Sequence, residues 1–172
     1  MAVNVSARNL GRPGFAELVQ RELEVSGIGA DRLVVEITET ALLTDPESAT
    51  VVLRQLDALG VEISIDDFGS GHTSLGYLSE LPIHELKIDR SFICDMLANP
   101  AHGAIVRSIV DLGHNLGLRV VAEGVETQDI WDLLRASGCD SAQGYLLARP
   151  MAVEQLAGWL AGIPPVAAPV EA

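Results

Sequence analysis

Short runs of alternating β-branched and polar residues recur along the chain, separated by longer segments in which apolar residues follow a helical period. The period-2 runs predict strands. Their ranges are Ala2–Ser6, Leu33–Thr38, Val61–Asp66, Glu85–Asp89, Arg119–Gly124 and Ala142–Leu147. The helical segments each end at a glycine, as in "FAELVQRELEVSG", "DPESATVVLRQLDALG", "AIVRSIVDLGHNLG", "TQDIWDLLRASG" and "MAVEQLAGWLAG". In the second of them Asp45 is the expected N-cap and Pro46 occupies the first turn.

Strict alternation of strand and helix predicts a parallel sheet, because each helix returns the chain to the same end of the sheet. Both an open doubly wound sheet and a barrel satisfy this pattern. No Gly-x-Gly-x-x-Gly turn follows the first strand, which weakens the dinucleotide-binding version of the open sheet. We expect one domain over residues 1–162 and a disordered tail over residues 163–172, where the apolar period is lost.

The chain is acidic, with 24 Asp and Glu against 11 Lys and Arg and a formal charge of -13. This balance argues against a nucleic-acid polymer or an anionic membrane as the main partner. An acidic protein can still bind phosphates through a divalent metal. The sequence shows neither the apolar run of a membrane span nor the pattern of a signal peptide, so we expect a cytoplasmic location.

The cysteines and histidines do not form a pattern typical of a disulfide framework or a zinc site. Cys94 and Cys139 are interpreted as small core residues in a reducing compartment. The histidines are interpreted as surface or locally hydrogen-bonding residues, because they share no ligand spacing. They are His72, His84, His102 and His114, of which the first is expected near the site through its loop.

Polar residues lie on or at the end of every predicted strand. They are Asn4, Glu36, Asp66, Lys87, Glu123 and Gln143. The carboxyl ends of parallel strands meet at one rim, so these side chains are expected to form a cluster. Crowded acidic groups repel and are costly to desolvate unless a cation holds them, and oxygen ligands without His or Cys suit Mg²⁺, Mn²⁺ or Ca²⁺. The pattern predicts a divalent metal site.

The adjacent pair Asp66 and Asp67 fits a two-metal arrangement, in which ions about 3.5–4 Å apart activate a water and stabilise displacement at phosphorus. Asp66 would bridge both ions and Asp67 would complete one site. Gly69 and Gly71 would let the following loop turn with positive φ. Lys87 would orient the attacking water or offset charge on the phosphorane.

Each of these residues also has a simpler interpretation. Glu36 could be an edge-strand carboxylate, and Lys87 a surface charge whose stem packs on a helix. The pair Asp66 and Asp67 could cap the following short helix. Only the joint pattern favours a site, and a different metal-dependent barrel enzyme, such as one that stabilises an enediolate, also fits it.

Six motifs, "NVSARNL", "EITET", "DDFGSGHTSLGYL", "LKIDRSF", "VVAEGVET" and "QGYLLARP", resemble in order the signatures of the EAL domain, the bacterial cyclic di-GMP phosphodiesterase domain. The resemblance runs from Val3 to Pro150 and loosely through the last helix. It implies an α/β fold, a TIM-like (β/α)8 barrel of the EAL type, here incomplete with about six strand–helix units. It also implies hydrolysis of cyclic di-GMP to pGpG with two Mg²⁺ or Mn²⁺ ions, typically inhibited by calcium.

The resemblance assigns a role to each candidate residue. The metal ligands would be Asn4, Glu36, Asp66 and Glu123, with Asp67 serving the second ion. Lys87 would contact the catalytic water, and Gln143 would lie near metal-bound water or substrate. Glu39 would steady the loop Phe68–Ser74, which in the family also shapes a homodimer interface.

The sequence departs from the family pattern at two places. "SGHTSL" stands where the family more often shows Thr-Gly-Tyr-Ser-Ser-Leu, and the changes at Ser70 and His72 are not expected to abolish activity alone. Met1 lies three residues before Asn4, so the Glu-Ala-Leu motif, which supplies a metal ligand, is absent with two strands and a helix. We therefore expect open sheet edges, weaker metal binding and slow or absent cleavage.

The early start predicts a fragment or a wrongly started reading frame of a longer protein, the alternative being a natural short form that opens a sheet edge to a partner. Family members often carry a diguanylate cyclase-like (GGDEF) or sensory domain upstream. The first functional hypothesis is a cyclic di-GMP phosphodiesterase. The alternative is an inactive module that binds cyclic di-GMP or a protein partner without cleavage.

Overall fold

The computed structural model describes residues 1–71 and 73–162, and within them the chain forms one sheet of six parallel strands. The strands are β1 (Ala2–Asn4), β2 (Val34–Thr38), β3 (Glu62–Phe68), β4 (Glu85–Ile88), β5 (Arg119–Glu123) and β6 (Ser141–Gln143). The predictions for His72 and for a disordered tail over 163–172 lie outside the described residues.

The spatial order of the strands is the order of the chain, from β1 to β6, and every neighbouring pair is parallel. A doubly wound sheet reverses its strand order at a switch point, whereas a barrel adds each strand beside the last. The structure therefore decides the open choice in favour of the barrel type. It confirms the predicted incomplete barrel of six strand–helix units.

The helices follow the strands as local signals predict. Their bounds are α1 Ala7–Leu10, α2 Phe15–Ser26, α3 Glu39–Thr44, α4 Pro46–Ala58, α5 Leu75–Glu80, α6 Arg90–Cys94, α7 Pro100–Asn115, α8 Gln128–Ala136 and α9 Val153–Gly162. Helix α4 begins as expected, because the Asp45 carboxylate accepts a hydrogen bond from the Ser48 N–H at 3.2 Å. Among the described residues, none of the helices is both long and apolar enough to cross a membrane.

The two faces of the sheet differ sharply in polarity. One face packs against the helices and forms the core through residues that are at most 1% exposed. They are Val35, Ile37, Ile63, Ile65, Leu86, Ile88, Val120 and Ala122. Successive strand side chains point to opposite faces, so the intervening polar residues of β2 to β5 share the opposite, inner face. The candidate functional residues lie on this inner face or at its upper rim.

Three details correct the sequence predictions. Cys94 is exposed, because it ends the short helix α6 away from the core, whereas Cys139 is half-buried against the core. Strand β6 ends at Gln143 and not at Leu147, since a Cβ on Gly144 would lie 2.2 Å from the Val125 carbonyl oxygen. Only glycine can approach Val125 so closely, and the chain turns there. Helix α9 leaves its apolar side chains largely exposed.

Candidate metal centre

Strand register brings the predicted site residues to one end of the sheet. Asn4 pairs with Glu36 across β1 and β2, Thr38 pairs with Asp66 across β2 and β3, and Glu123 pairs with Gln143 across β5 and β6. Carboxylate oxygens of Asp66, Asp67 and Glu123 all lie within 4.8 Å of one another. The side chains that the sequence placed on separate strands therefore form one cluster.

The ammonium group of Lys87 lies at the centre of this cluster. Its Nζ is 2.5 Å from Glu123 Oε1, 2.9 Å from Glu36 Oε1 and 3.3 Å from Asp66 Oδ1. The Lys87 side chain is only 5% exposed. Lys87 is therefore not a surface charge, and Glu36 is not on an edge strand, because β2 lies between β1 and β3.

The pKa values of Lys87, Asp67 and Glu123 are all raised, which favours the charged form of the lysine and the neutral forms of the two acids. Burial alone would lower the pKa of Lys87, but hydrogen bonds to Glu123 and Glu36 and the Asp66 charge raise its pKa above the ordinary value. Burial raises the pKa of Asp67, and the charges of Asp66 and Asp89 raise it further. Burial likewise raises the pKa of Glu123, although Lys87 opposes this. The site carries more negative charge than Lys87 offsets.

An irregularity in β3 accounts for the position of the acidic pair. Neighbouring side chains of a regular strand point to opposite faces, which would separate Asp66 from Asp67. Here the register between β3 and β4 shifts between Ile65 and Phe68, and Asp67 adopts a left-handed φ of 54°. Both carboxylates therefore reach the same rim.

The capping interpretation of the acidic pair is wrong. The N-cap of the following helix, α5, is Ser74, whose hydroxyl accepts a hydrogen bond from the Tyr77 N–H at 3.2 Å. Asp66 instead accepts a hydrogen bond from the Asp67 backbone N–H at 3.0 Å. The Asp66 and Asp67 carboxylates therefore do not cap α5 and lie at the rim of the sheet.

Glu39 contacts the backbone of the loop that follows the acidic pair. The residue is 3% exposed, and its carboxylate accepts hydrogen bonds from the backbone N–H groups of Gly69 at 3.3 Å, Gly71 at 3.0 Å and Thr73 at 2.6 Å. A Cβ on Gly71 would lie 2.6 Å from the Glu39 carboxyl carbon, so the close approach requires glycine. The geometry agrees with the predicted loop-steadying role, which stays a prediction.

Gln143 and Asn4 lie at the two sides of the cluster. The Gln143 side-chain amide donates a hydrogen bond to Glu123 Oε1 at 2.8 Å, so it orients the carboxylate that also contacts Lys87. Asn4 lies on the exposed edge strand beside Glu36. Both residues lie at strand ends beside the carboxylates, and their roles toward metal, water or substrate stay predictions.

The donor set fits a hard divalent cation. The converging groups offer carboxylate and amide oxygens, and Cys and His do not contribute to the clustered group among the described residues. Mg²⁺, Mn²⁺ and Ca²⁺ prefer oxygen donors, and a divalent charge would offset the burial and the carboxylate repulsion that together raise the pKa of Asp67. Glu36, Asp66, Asp67 and Glu123, with Asn4 beside them, are the residues that would hold such ions.

A cavity of about 500 Å³ next to the cluster was missed by the sequence reasoning. It shares Glu123 and Gln143 with the site, and its other charged and aromatic lining residues are Arg90, Glu126, Tyr145, Arg149 and Trp159. The Arg149 guanidinium lies 4.7 Å from the centre of the Tyr145 ring. Three of these lining residues follow a predicted site residue closely in the sequence, which is a signal that could have identified them. They are Arg90, Glu126 and Tyr145, two or three positions after Lys87, Glu123 and Gln143.

The family profile, the curated relatives and the solved structures that match this chain all indicate the same domain family. The sequence profile of the EAL domain matches residues 1–150. The bifunctional diguanylate cyclase/cyclic di-GMP phosphodiesterase MucR of Pseudomonas aeruginosa is 46% identical over 156 residues, covering 91% of this chain and 23% of MucR. The solved MucR phosphodiesterase in complex with c-di-GMP matches with a TM-score of 0.87 and 46% identity, covering 90% of this chain and 63% of that chain.

A manganese and cyclic di-GMP complex of Klebsiella pneumoniae BlrP1 matches with a TM-score of 0.81 and 33% identity, covering 87% of this chain and 38% of that chain. The chain thus spans about a quarter of the curated relative MucR and less than two thirds of the solved MucR chain. The profile match nevertheless includes all six strands and every residue of the carboxylate cluster. The chain belongs to the EAL domain family.

Proposed function

We propose that this chain carries the hydrolytic site of a cyclic di-GMP phosphodiesterase, which converts cyclic di-GMP to pGpG with two Mg²⁺ or Mn²⁺ ions. The observation that carries the proposal is the convergence of Glu36, Asp66 and Glu123, from three strands, on the buried ammonium of Lys87. The named activity of MucR and the manganese complex of BlrP1 support the substrate and the metal class.

The reaction adds water to one phosphodiester and breaks the bond between phosphorus and the 3′ oxygen, which leaves with a proton. Bound ions would supply Lewis-acid chemistry and an activated water at the carboxylate rim. Glu36, Asp66, Asp67 and Glu123 would hold them, with Asn4 completing the oxygen donors. Four carboxylates against one ammonium leave a deficit of positive charge that two divalent ions would reverse.

Lys87 acts in this scheme as a fixed cation and hydrogen-bond donor. Burial alone would lower the pKa of Lys87, but the surrounding carboxylates raise it, so the side chain is an ammonium in the metal-free site. A buried ammonium beside the reacting phosphoryl group stabilises the negative charge that develops in the transition state. Gln143 keeps Glu123 oriented, and Glu39 holds the loop next to Asp67.

The adjacent cavity has the chemistry that a nucleotide requires. The guanidinium groups of Arg90 and Arg149 suit phosphate oxygens, and the rings of Tyr145 and Trp159 offer apolar faces to a purine. Because the cavity shares Glu123 with the metal centre, a ligand bound there lies against the hydrolytic groups.

The proposal is tested with the purified chain, cyclic di-GMP and Mn²⁺ or Mg²⁺, following pGpG by chromatography. Glu123→Gln keeps the size of the side chain and removes its charge, so it is the matched inactive control. Appearance of pGpG in the wild type alone supports the phosphodiesterase. A folded chain that binds cyclic di-GMP without forming pGpG supports the alternative binding module. A homodimer through the loop Phe68–Ser74, an upstream domain and a cytoplasmic location stay predictions.

A further inference from the structure

A second polar layer lies on the inner face of the sheet, below the carboxylate cluster. Glu62 and Ser64 precede Asp66 on β3 by four and two residues, Glu85 precedes Lys87 on β4 by two, and Arg119 precedes Glu123 on β5 by four. Even spacings along a strand place side chains on the same face. The layer formed by Glu62, Ser64, Glu85 and Arg119 therefore stands on the strands that carry the site.

The contacts within this layer link β3, β4 and β5 through side chains. The Arg119 guanidinium donates to Glu62 Oε2 at 2.5 Å, and its Nε lies 3.5 Å from Glu85 Oε2. The buried Ser64 hydroxyl donates to Glu85 Oε1 at 2.9 Å. Hydrogen bonds to Glu62, outweighing burial, and the charges of both carboxylates raise the pKa of Arg119, which keeps it a permanent cation.

Between β3 and β4 the backbone ladder does not fix the spacing of the site on its own, whereas β4 and β5 pair regularly. The last regular pairs between β3 and β4 are Ser64 with Glu85 and Ile65 with Leu86, and the register shifts directly above them. Asp66 and Asp67 lie within this irregular segment, so their distance to Lys87 is not set by a continuous ladder. The polar layer anchors the strands at the last regular pairs, immediately below the shift.

We propose that Arg119 is a positioning residue, which through Glu62 and Glu85 holds β3, β4 and β5 at the spacing that the metal centre requires. The inference rests on the proposed function, because the quantity that it controls is the affinity of the carboxylate rim for a divalent ion. Arg119 itself is half-exposed, and exposed ion pairs add little to stability. A positioning role therefore predicts a loss of metal affinity that exceeds the loss of stability.

The test is titration of Mn²⁺ into the substrate-free chain by calorimetry, comparing the wild type with Arg119→Met. We expect the Mn²⁺ affinity of Arg119→Met to fall by about tenfold, which is the lower end of the range for residues that support metal ligands. The midpoint of its thermal unfolding should change little. Arg135→Met removes an exposed arginine of α8 and is the matched control. Arg119→Lys should restore part of the affinity, because an ammonium keeps the positive charge between Glu62 and Glu85 but lacks the rigid planar fork of the guanidinium.

A double-mutant comparison uses Glu62→Gln alone and combined with Arg119→Met, so that the result does not depend on a side effect of one substitution. Both single variants should weaken Mn²⁺ binding, and the double variant should weaken it by less than the product of the two factors. If the wild type binds Mn²⁺ and forms pGpG while Arg119→Met binds Mn²⁺ equally well, the inference alone is overturned. If the wild type itself binds no Mn²⁺, the proposed function fails and the inference fails with it.

Discussion

Lys87 Nζ lies 2.5 Å from Glu123 Oε1, and this contact joins β4 to β5 at the centre of the carboxylate rim. The same ammonium reaches Glu36 on β2 and Asp66 on β3. One cation thus links strands that are far apart in the sequence. Removing it leaves a partly buried set of carboxylates without a protein counter-charge, which is costly in a low dielectric.

Replacing Lys87 by Met should lower kcat for pGpG formation by about 10²–10³-fold, the range for loss of one transition-state hydrogen-bond donor. The methionine keeps an apolar stem and removes the ammonium group, with both its charge and its N–H donors. The measurement is the steady-state rate at saturating Mn²⁺. A variant that retains wild-type kcat would contradict the role given to Lys87 in catalysis.

The raised pKa of Lys87 also predicts a pH dependence of stability. A lysine whose folded pKa exceeds its unfolded value stabilises the fold fully below the unfolded pKa, about 10.4. That contribution is lost as the pH rises through the folded pKa. Urea unfolding from about pH 6 to about pH 11 should therefore show that the free energy of unfolding of the wild type exceeds that of Lys87→Met by a constant amount below about pH 10 and by less above it. An advantage that disappears near pH 8 would show that the lysine pKa is not raised.

Asp67→Asn should stabilise the protein in EDTA and weaken Mn²⁺ binding. Burial and the charges of Asp66 and Asp89 raise the pKa of Asp67, so its ionised form opposes folding above that pKa. Asn tolerates the left-handed φ of 54° as Asp does, and the backbone need not change. We expect a gain of about 0.5–2 kcal/mol at pH 7 by urea unfolding. Lower stability of the variant in EDTA would show that burial and repulsion of the Asp67 carboxylate do not dominate its effect on folding.

Glu39→Ala should release the loop from Gly69 to Thr73, because three backbone N–H groups lose their acceptor. Loss of hydrogen bonds to a buried charged group predicts a decrease of about 1.5–3 kcal/mol in the free energy of unfolding. Limited proteolysis should show new cleavage within the loop. Glu47→Ala, an exposed glutamate on α4, is the matched control and should leave the proteolytic pattern unchanged.

Gly71→Ala tests the same contact from the loop side. The new Cβ would lie 2.6 Å from the Glu39 carboxyl carbon, so the loop or the carboxylate must move. We expect a decrease in stability of about 1–3 kcal/mol, as for other overpacked sites, and reduced pGpG formation. Gly76→Ala is a suitable comparison, because a Cβ there meets open space among the described residues and favours the helix α5. Equal effects of the two substitutions would argue against the Glu39 contact.

The elements and the family could be predicted from the sequence because both depend on local patterns. Period-2 runs and helical stripes located all six strands, and the caps at Asp45 and Gly27 agree with the helix ends. The prediction for the sixth strand extended too far, because the Gly144 backbone packs against Val125, a contact that lies outside any local window. Cys94 was placed in the core because residue type alone does not show which side of a short helix faces solvent.

The sequence by itself determined the strand–helix alternation, the family and the presence of a polar residue at the end of each strand, since each follows from residue type and spacing. Only the tertiary structure decided how these residues meet. The contacts of Lys87 with three strands, the hold of Glu39 on its loop and the Arg119 layer depend on register between strands. Register is a property of pairs of segments distant in sequence, and a shift of one residue would send every side chain to the other face.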